Sequence, residues 1–135
     1  MAGDEGDPMN LRHVALVYAS EEQADRFLLD VLGLAKSEPK KLARGIAQAL
    51  FGVDSELEIV NYASDQVHFE VFIDLEHRPR AGRIEHVCLE VEDLPAFLQR
   101  CSEAGAEVVR VPKGDSWLTF VRDAGANLFE IKERV

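Results

Sequence analysis

Two short stretches decide the architecture of this chain: LRHVAL at residues 11–16 and IEHVCL at residues 84–89. Both follow the pattern apolar, any residue, His, Val, small, Leu, and each precedes a helix-like stretch that stops at a glycine. Gly33 and Gly105 follow their respective histidines by 20 and 19 residues, enough for the end of a short strand, an N-cap and about three helical turns. This recurrence predicts an internally repeated fold.

The repeat returns towards the end of each half of the sequence. Residues 57–73 and residues 117–131 both alternate like two strands joined by a turn, and the turn residues stand at the same places. Glu70 and Glu130 each lie 13 residues after the start of their hairpin. Each half therefore consists of strand, helix, strand and hairpin. The predicted fold class is α+β, with two βαβββ modules in one structural domain.

Local signals set the boundaries of these elements. Ser20 is a good N-cap with Gln23 at the capping-box position, and Asp93 begins the second helix. Residues 42–50 could form an additional short helix that makes the first module longer. The predicted segments are a flexible leader over residues 1–10, module one over 11–76, a polar linker over 77–82, and module two over 83–135.

Composition restricts the possible partners. The 135 residues carry a formal net charge of -10 without a basic patch, which excludes a phosphate backbone as the expected ligand. Apolar runs are too short for a membrane span, and the N-terminus has no signal-peptide pattern. Cys88 and Cys101 are too few for a disulfide framework. We expect a cytoplasmic protein that binds a small molecule, and neither nucleic acid nor a membrane.

Strand alternation sorts the polar residues onto one face of each predicted sheet. In every strand considered, the bulkier apolar residues share one face, which we expect to pack beneath the helices. The opposite face then carries two histidines and two carboxylates at repeat-equivalent positions: His13, Glu70, His86 and Glu130. Taken singly, each of these would be an ordinary surface or satisfied residue. Together they favour a divalent metal site, with Zn, Ni, Co, Mn and Fe(II) all compatible with the ligand types.

The same residues resemble a known family. The paired modules, the two strand histidines, the segment FLLDVLGL at residues 27–34 and the two closing-strand glutamates are similar to the vicinal oxygen chelate superfamily, also called the glyoxalase/bleomycin-resistance/dioxygenase fold. The resemblance covers residues 11–133. It implies a cupped mixed sheet with helices on the outside, around a divalent metal held by the four residues named above.

The resemblance also implies an activity. Within this family the His, Glu, His, Glu set is closest to that of glyoxalase I, a metal-dependent lyase or isomerase that stabilises an enolate-like intermediate on its metal. Glu130 and Glu90 are then the candidate catalytic residues, because Glu90 shares the presumed cup face with His86. His68 and Lys132 are further polar neighbours on the ligand strands. Glutathione or another thiol is an open co-substrate, and a homodimer is expected.

Several alternatives stay open at this point. Methylmalonyl-CoA epimerase is the nearest enzymatic rival, because residues 84–94 resemble its second-module opening. A metal-free binding protein of the bleomycin-resistance type is the non-enzymatic rival. An Fe(II) dioxygenase normally uses two histidines and one carboxylate, so the second glutamate argues against it. Glu58 could replace Glu70 as the module-one ligand, although only Glu70 matches the spacing of Glu130.

Overall fold

The computed structural model describes residues 9–80, 82 and 84–135. Most of the expected leader, and Ala81 and Arg83 at the junction of the modules, lie outside these residues. The first module contains β1 (Val14–Tyr18), α1 (Glu21–Ala24) continued by a π-helical segment (Asp25–Val31), β2 (Ala35–Lys36), β3 (Lys40–Leu42), α2 (Arg44–Phe51), β4 (Leu57–Ala63) and β5 (His68–Ile73). The second contains β6 (Val87–Val91), α3 (Leu94–Glu103), β7 (Glu107–Lys113), β8 (Ser116–Arg122) and β9 (Leu128–Glu133).

Two mixed sheets with the same topology confirm the predicted α+β fold of two βαβββ modules. The first sheet has the strand order β1-β5-β4-β2, with β3 also paired to β4, and the second has the order β6-β9-β8-β7. In each module the first strand pairs in parallel with the last, and the last pairs antiparallel with its hairpin partner. Thus the His-bearing and Glu-bearing segments of each repeat become direct neighbours.

The helix starts follow the sequence signals. The Ser20 hydroxyl accepts a hydrogen bond from the Gln23 backbone N–H at 3.2 Å, and the Gln23 side chain accepts one from the N–H of Ala19. Asp93 caps α3 by accepting from the N–H of Ala96. These side chains satisfy N–H groups that have no partner within the helix. The helix of module one continues as a π-helix, a winding that the sequence signals do not distinguish from an α-helix.

One hydrophobic core joins the two modules. Buried residues of β1, β4, β5 and the first helix pack with buried residues of α3, β8 and β9 in a single cluster. Phe129 of β9 contacts Phe27 at a ring-centroid distance of 4.9 Å and Phe69 at 6.1 Å. The apolar faces of both sheets therefore meet inside the molecule, and the modules form one structural unit.

The short helix α2 packs on the other face of the first sheet. Its Ala47 is buried against Leu57 and Phe72 in a small cluster separate from the main core. Phe72 stands two residues after Glu70 on β5, so both side chains share a face. Gly52 ends the helix with a φ of 69°, a left-handed conformation that glycine adopts without steric cost. The expected helix within residues 42–50 thus exists, and it covers part of the face that carries Glu70.

A buried turn fastens module two to the end of β1. The Tyr18 hydroxyl donates to Asp123 Oδ2 at 2.5 Å, and the other oxygen of Asp123 accepts from the backbone N–H groups of Gly125 and Asn127 at 3.0 Å. The Asn127 amide donates to the carbonyl oxygen of Val17. Burial raises the pKa of Asp123, although hydrogen bonds from Tyr18, Asn127 and Gly125 oppose the rise.

The linker contacts the same turn. His77 Nε2 lies 3.3 Å from the carbonyl oxygen of Gly125. A Cβ atom at Gly125 would stand 2.8 Å from the Val17 carbonyl oxygen and 2.9 Å from the Tyr18 ring, so the close approach of the turn to β1 requires glycine. Within the described residues, no helix is both long and apolar enough to cross a membrane.

Candidate metal centre

The module-one pair consists of His13 and Glu70. In the parallel pairing of β1 with β5, Ala15 stands opposite Glu70, and His13 lies two residues before Ala15 on the same face. The register brings His13 Nε2 within 3.2 Å of Glu70 Oε1. The two side chains are 41% and 26% exposed, so they are reachable from solvent.

The module-two pair has the same construction. Cys88 stands opposite Glu130 in the parallel pairing of β6 with β9, and His86 lies two residues before Cys88. His86 Nε2 is 3.3 Å from Glu130 Oε1, with side-chain exposures of 41% and 17%. The repeat visible in the sequence therefore produces two nearly identical His–Glu pairs, each between the first and last strands of its module.

Different neighbours surround the two pairs. In module one, the rings of His13 and His68 have centroids 5.6 Å apart, and His68 Nε2 lies 2.7 Å from Asn61 Oδ1. In module two, Lys132 Nζ lies 3.6 Å from Glu130 Oε2. The Lys132 ammonium thus lies on the side of the Glu130 carboxylate that does not face His86.

A ring contact further fixes the module-two histidine. The His86 ring meets Phe120 edge-on, with centroids 5.4 Å apart and an interplanar angle of 80°. Phe120 stands opposite Glu130 in the pairing of β8 with β9. The imidazole is therefore held between an aromatic ring and a carboxylate, which restricts its orientation.

The two pairs lie on the outer faces of their sheets. Phe69 and Phe129 precede Glu70 and Glu130 directly on their strands, and their rings touch in the core. Because successive side chains of a strand point to opposite faces, each carboxylate projects from the face of its own sheet that does not line that core. Accordingly, no cluster of three or more His, Cys, Asp or Glu side chains able to hold a metal occurs in the described part of one chain.

The donor atoms of each pair nevertheless suit a divalent ion. An imidazole nitrogen and a carboxylate oxygen face each other across a short gap, and both groups are partly exposed. Each pair supplies one N and one O ligand, so two pairs together would provide the N₂O₂ set that Zn, Ni, Co, Mn and Fe(II) accept. One pair alone supplies half of such a site.

The remaining acidic candidates lie elsewhere. Glu90 is an exposed side chain that accepts a hydrogen bond from Arg134 at 3.4 Å. It stands opposite Lys132 in the strand register, at the far end of the strand from His86. Glu58 is an odd number of residues from Asn61, the partner of Glu70, so Glu58 projects from the opposite face of the sheet.

The sequence reading missed three neighbours of these pairs. Asn61 holds His68, Phe120 supports His86, and Arg122 lies two residues after Phe120 on the same face of β8. The alternation of side chains within residues 57–63 and 116–122 could have found them, because each lies on the same sheet face as the glutamate of its module. Partial burial, followed by the charge of Glu130, raises the pKa of the Cys88 thiol, which makes it a poor nucleophile.

Comparisons with known proteins agree with the fold. The sequence profile of the Glyoxalase/Bleomycin resistance protein/Dioxygenase superfamily matches residues 12–119. No curated protein sequence matches the chain.

Solved structures similar to the chain include three of particular interest. A glyoxalase family protein from Bacillus cereus has a TM-score of 0.68 at 19% identity, with 96% of this chain and 97% of that chain covered. The fosfomycin resistance protein FosX from Mesorhizobium loti has a TM-score of 0.66 at 13% identity, with coverages of 91% and 90%. A FosX mutant from Listeria monocytogenes, complexed with Mn(II) and 1S,2S-dihydroxypropylphosphonic acid, has a TM-score of 0.68 at 13% identity, with coverages of 91% and 90%.

Proposed function

Because the chain belongs to the glyoxalase/bleomycin-resistance/dioxygenase superfamily, we propose that it is a metal-dependent lyase or isomerase of the glyoxalase type. The ligands in this proposal are His13, Glu70, His86 and Glu130. The observation that carries it is the duplicated His–Glu pair, with the same register and nearly the same separation, 3.2 and 3.3 Å, in both modules. Two unrelated surface ion pairs have no physical reason to repeat this geometry.

A complete site requires two copies of the chain. The two pairs form no common cluster among the described residues of one chain, so we propose that the His13–Glu70 pair of one copy meets the His86–Glu130 pair of another when the two exposed sheet faces come together. A symmetric dimer then contains two complete sites. The partial exposure of all four side chains supports this arrangement, because each pair retains a face for the missing ligands.

Glu130 is the proposed proton acceptor. Its Oε1 faces His86, while its Oε2 faces Lys132. One carboxylate oxygen can therefore stay beside His86 in the proposed metal site, while the other takes a proton from a carbon next to a carbonyl. A bound divalent ion would supply Lewis-acid polarisation of the substrate oxygen. Glu90, near the strand end and held by Arg134, is the second candidate for proton transfer.

The proposed substrates are small carbonyl compounds. A hemithioacetal of glutathione or another thiol would suit a glyoxalase-I-like lyase, and an acyl-CoA thioester would suit an isomerase like methylmalonyl-CoA epimerase. The ion could be Zn, Ni, Co, Mn or Fe(II), and the FosX mutant from Listeria monocytogenes was crystallised with Mn(II).

Elemental analysis tests the proposal. We expect about one divalent ion per chain in protein purified without a metal-affinity column, and loss of most of it in both Glu70→Gln and Glu130→Gln. Glu58→Gln is the matched control, since its side chain projects from the opposite face of the sheet and its ion content should be unchanged. Wild-type protein that takes up none of the five ions would overturn the proposal, as would full ion content in both variants.

A metal-free binding protein of the bleomycin-resistance type is the second candidate. One observation favours it: α2 presents Ile46, Leu50 and Phe51 as exposed apolar side chains beside the module-one face. Such a ridge could pack against an aromatic drug without any metal. This candidate predicts that aromatic ligands bind equally well to wild-type protein and to Glu70→Gln, whereas the metal-dependent proposal predicts no such equality.

A further inference from the structure

A cavity next to His86 is lined by two arginines, Arg80 and Arg122. The cavity encloses about 340 Å³ between β1, the linker and the turn before β9, and its polar lining includes His77, Arg80, Glu85, His86, Arg122 and Asn127. This volume falls within the range typical of small-molecule sites. The two arginines line it together with one glutamate, in a chain whose net charge is -10.

Arg122 is held in position by a residue outside the cavity. Its Nη1 donates to Glu107 Oε1 at 2.8 Å, across the pairing of β7 with β8. Among the described residues, the structure gives its other N–H groups no acceptor. Glu107 is 62% exposed and Arg122 only 27%, so the pair fixes the guanidinium while leaving donors for a second anion. A donor fixed in advance loses less freedom when a ligand binds.

The strand register places Arg122 near the His86–Glu130 pair. Phe120 contacts His86 and stands opposite Glu130, and Arg122 follows Phe120 by two residues on the same face of β8. Two residues of a strand span about 7 Å. A molecule with an anionic group a few bonds from its reacting centre could therefore contact Arg122 at one end and reach the His86–Glu130 pair at the other.

We propose that this cavity binds an oxyanion group of the substrate, through Arg122 and Arg80. The substrate class is then a small carbonyl compound bearing a carboxylate or a phosphoryl-type group. Guanidinium groups bind both because their planar set of N–H donors matches two oxygens of the anion. The inference rests on the proposed function only for the carbonyl group at the reacting end of the substrate. The anion site itself is argued from the cavity alone.

The test uses metal-free full-length protein and two simple probes. Isothermal titration with inorganic phosphate and with acetate measures anion binding directly, and the tighter of the two identifies the type of oxyanion. We expect millimolar binding of at least one probe, weakened about tenfold or more in Arg122→Gln and also weakened in Arg80→Gln.

Arg110→Gln is the matched control. Arg110 stands opposite Thr119, on the other face of the same sheet, with its guanidinium over the Trp117 ring. Its substitution should leave anion binding within about twofold of wild type. Thermal unfolding of each variant verifies that the fold is retained.

Two results would overturn the inference: no binding of either probe to wild-type protein at tens of millimolar, or equal binding to wild type and Arg122→Gln. The ion content of the same samples keeps the two proposals apart. Anion binding that depends on Arg122 in a protein without metal affinity would refute only the metal-dependent function. Metal binding without anion binding would refute only the cavity proposal.

Discussion

The two modules are alike on the sheet faces that line the core, here called the inner faces, and differ on the opposite, outer faces. Both have the same strand order and the same His–Glu pair, yet module one covers part of its outer face with α2, while module two leaves its face open, with Lys132 beside Glu130 and Arg122 paired with Glu107. The comparison separates two kinds of constraint. Packing in a common core preserves one face of each repeat, and the surroundings of the two His–Glu pairs are free to diverge.

The modules differ again in their hairpin turns. Residues 123–127 form a buried turn that binds β1 through Asp123, whereas the equivalent residues 63–67 of module one lie at the surface or are half-buried. Ala63 occupies the position that corresponds to Asp123, so module one has no acid there. The connection between the modules is therefore asymmetric, even though the strands that it joins are repeats.

The sharpest test of the comparison mixes two defective chains. His13→Ala disables the module-one half of a site and His86→Ala the module-two half, so neither variant alone should bind metal. In a mixed dimer that combines halves from different copies, one of the two sites is intact. Refolding the variants together should then restore metal to about a quarter of all sites. Ion content after co-refolding is the measurement, and no recovery would show that sites are not shared between copies.

Substitution of Gly125 should break the connection between the modules. In Gly125→Ala the new methyl group would stand 2.8 Å from the Val17 carbonyl oxygen, and we expect a loss of about 2–3 kcal/mol in the free energy of unfolding. Asp65→Ala at the equivalent, exposed position of module one should change it by less than about 0.5 kcal/mol. Urea unfolding measures both, and equal effects would contradict the asymmetry.

The contribution of α2 is smaller. Phe51 meets Phe72 edge-on with ring centroids 5.3 Å apart, but half of its side chain is exposed. Phe51→Ala should cost about 1–2 kcal/mol in the free energy of unfolding. Leu50→Ala, on the more exposed side of the same helix, should cost less than about 0.5 kcal/mol. If both variants unfold like wild type, α2 does not pack stably on the sheet.

The smallest expected effect is a pH dependence from Asp123. Burial raises its pKa in the folded protein above the ordinary value, so the folded state holds this proton more tightly than the unfolded state. Its stabilising contribution is present below the ordinary pKa and is lost as pH rises towards the folded pKa. The slope is less than about 1.4 kcal/mol per pH unit.

Comparison of wild type with Asp123→Asn isolates this contribution. The variant cannot ionise at residue 123, so the free energy of unfolding of wild type relative to the variant should decrease from about pH 4 upward. Chemical unfolding at several pH values measures it. A constant difference across the range would mean that Asp123 titrates alike in both states.

Much of the fold was predictable, because an internal repeat can be recognised from the spacing of similar residues alone. The two His-containing strands, the glycine-terminated helices and the hairpins were visible in the sequence, and alternation alone put His13 and Glu70 on a common face. The mutual orientation of the modules was not visible. It depends on Phe27, Phe69 and Phe129 meeting across the core, and nothing in their local pattern says which module each one packs against.

The candidate site was predictable to the same depth. Residue types and spacing predicted four candidate ligands as a set, but the separation of that set into two His–Glu pairs follows from tertiary packing. The contact of Tyr18 with Asp123 was equally hidden, because it joins residues 105 positions apart in the chain. The additional partners Asn61 and Arg122 were missed since a lone polar residue in a strand usually belongs to a wet surface.

The continuous core has a consequence for how such a duplicated chain can evolve. A change in the inner face of one repeat alters the packing surface of the other, so the two inner faces must change together. Outer-face features away from the junction of the modules, such as α2 and Lys132, contact their own module, and an insertion or a new charge there leaves the opposite repeat untouched. The duplication thus links the two halves in folding but not in the surroundings of their His–Glu pairs. One half can therefore gain a covering helix such as α2, and the other a charged side chain such as Lys132.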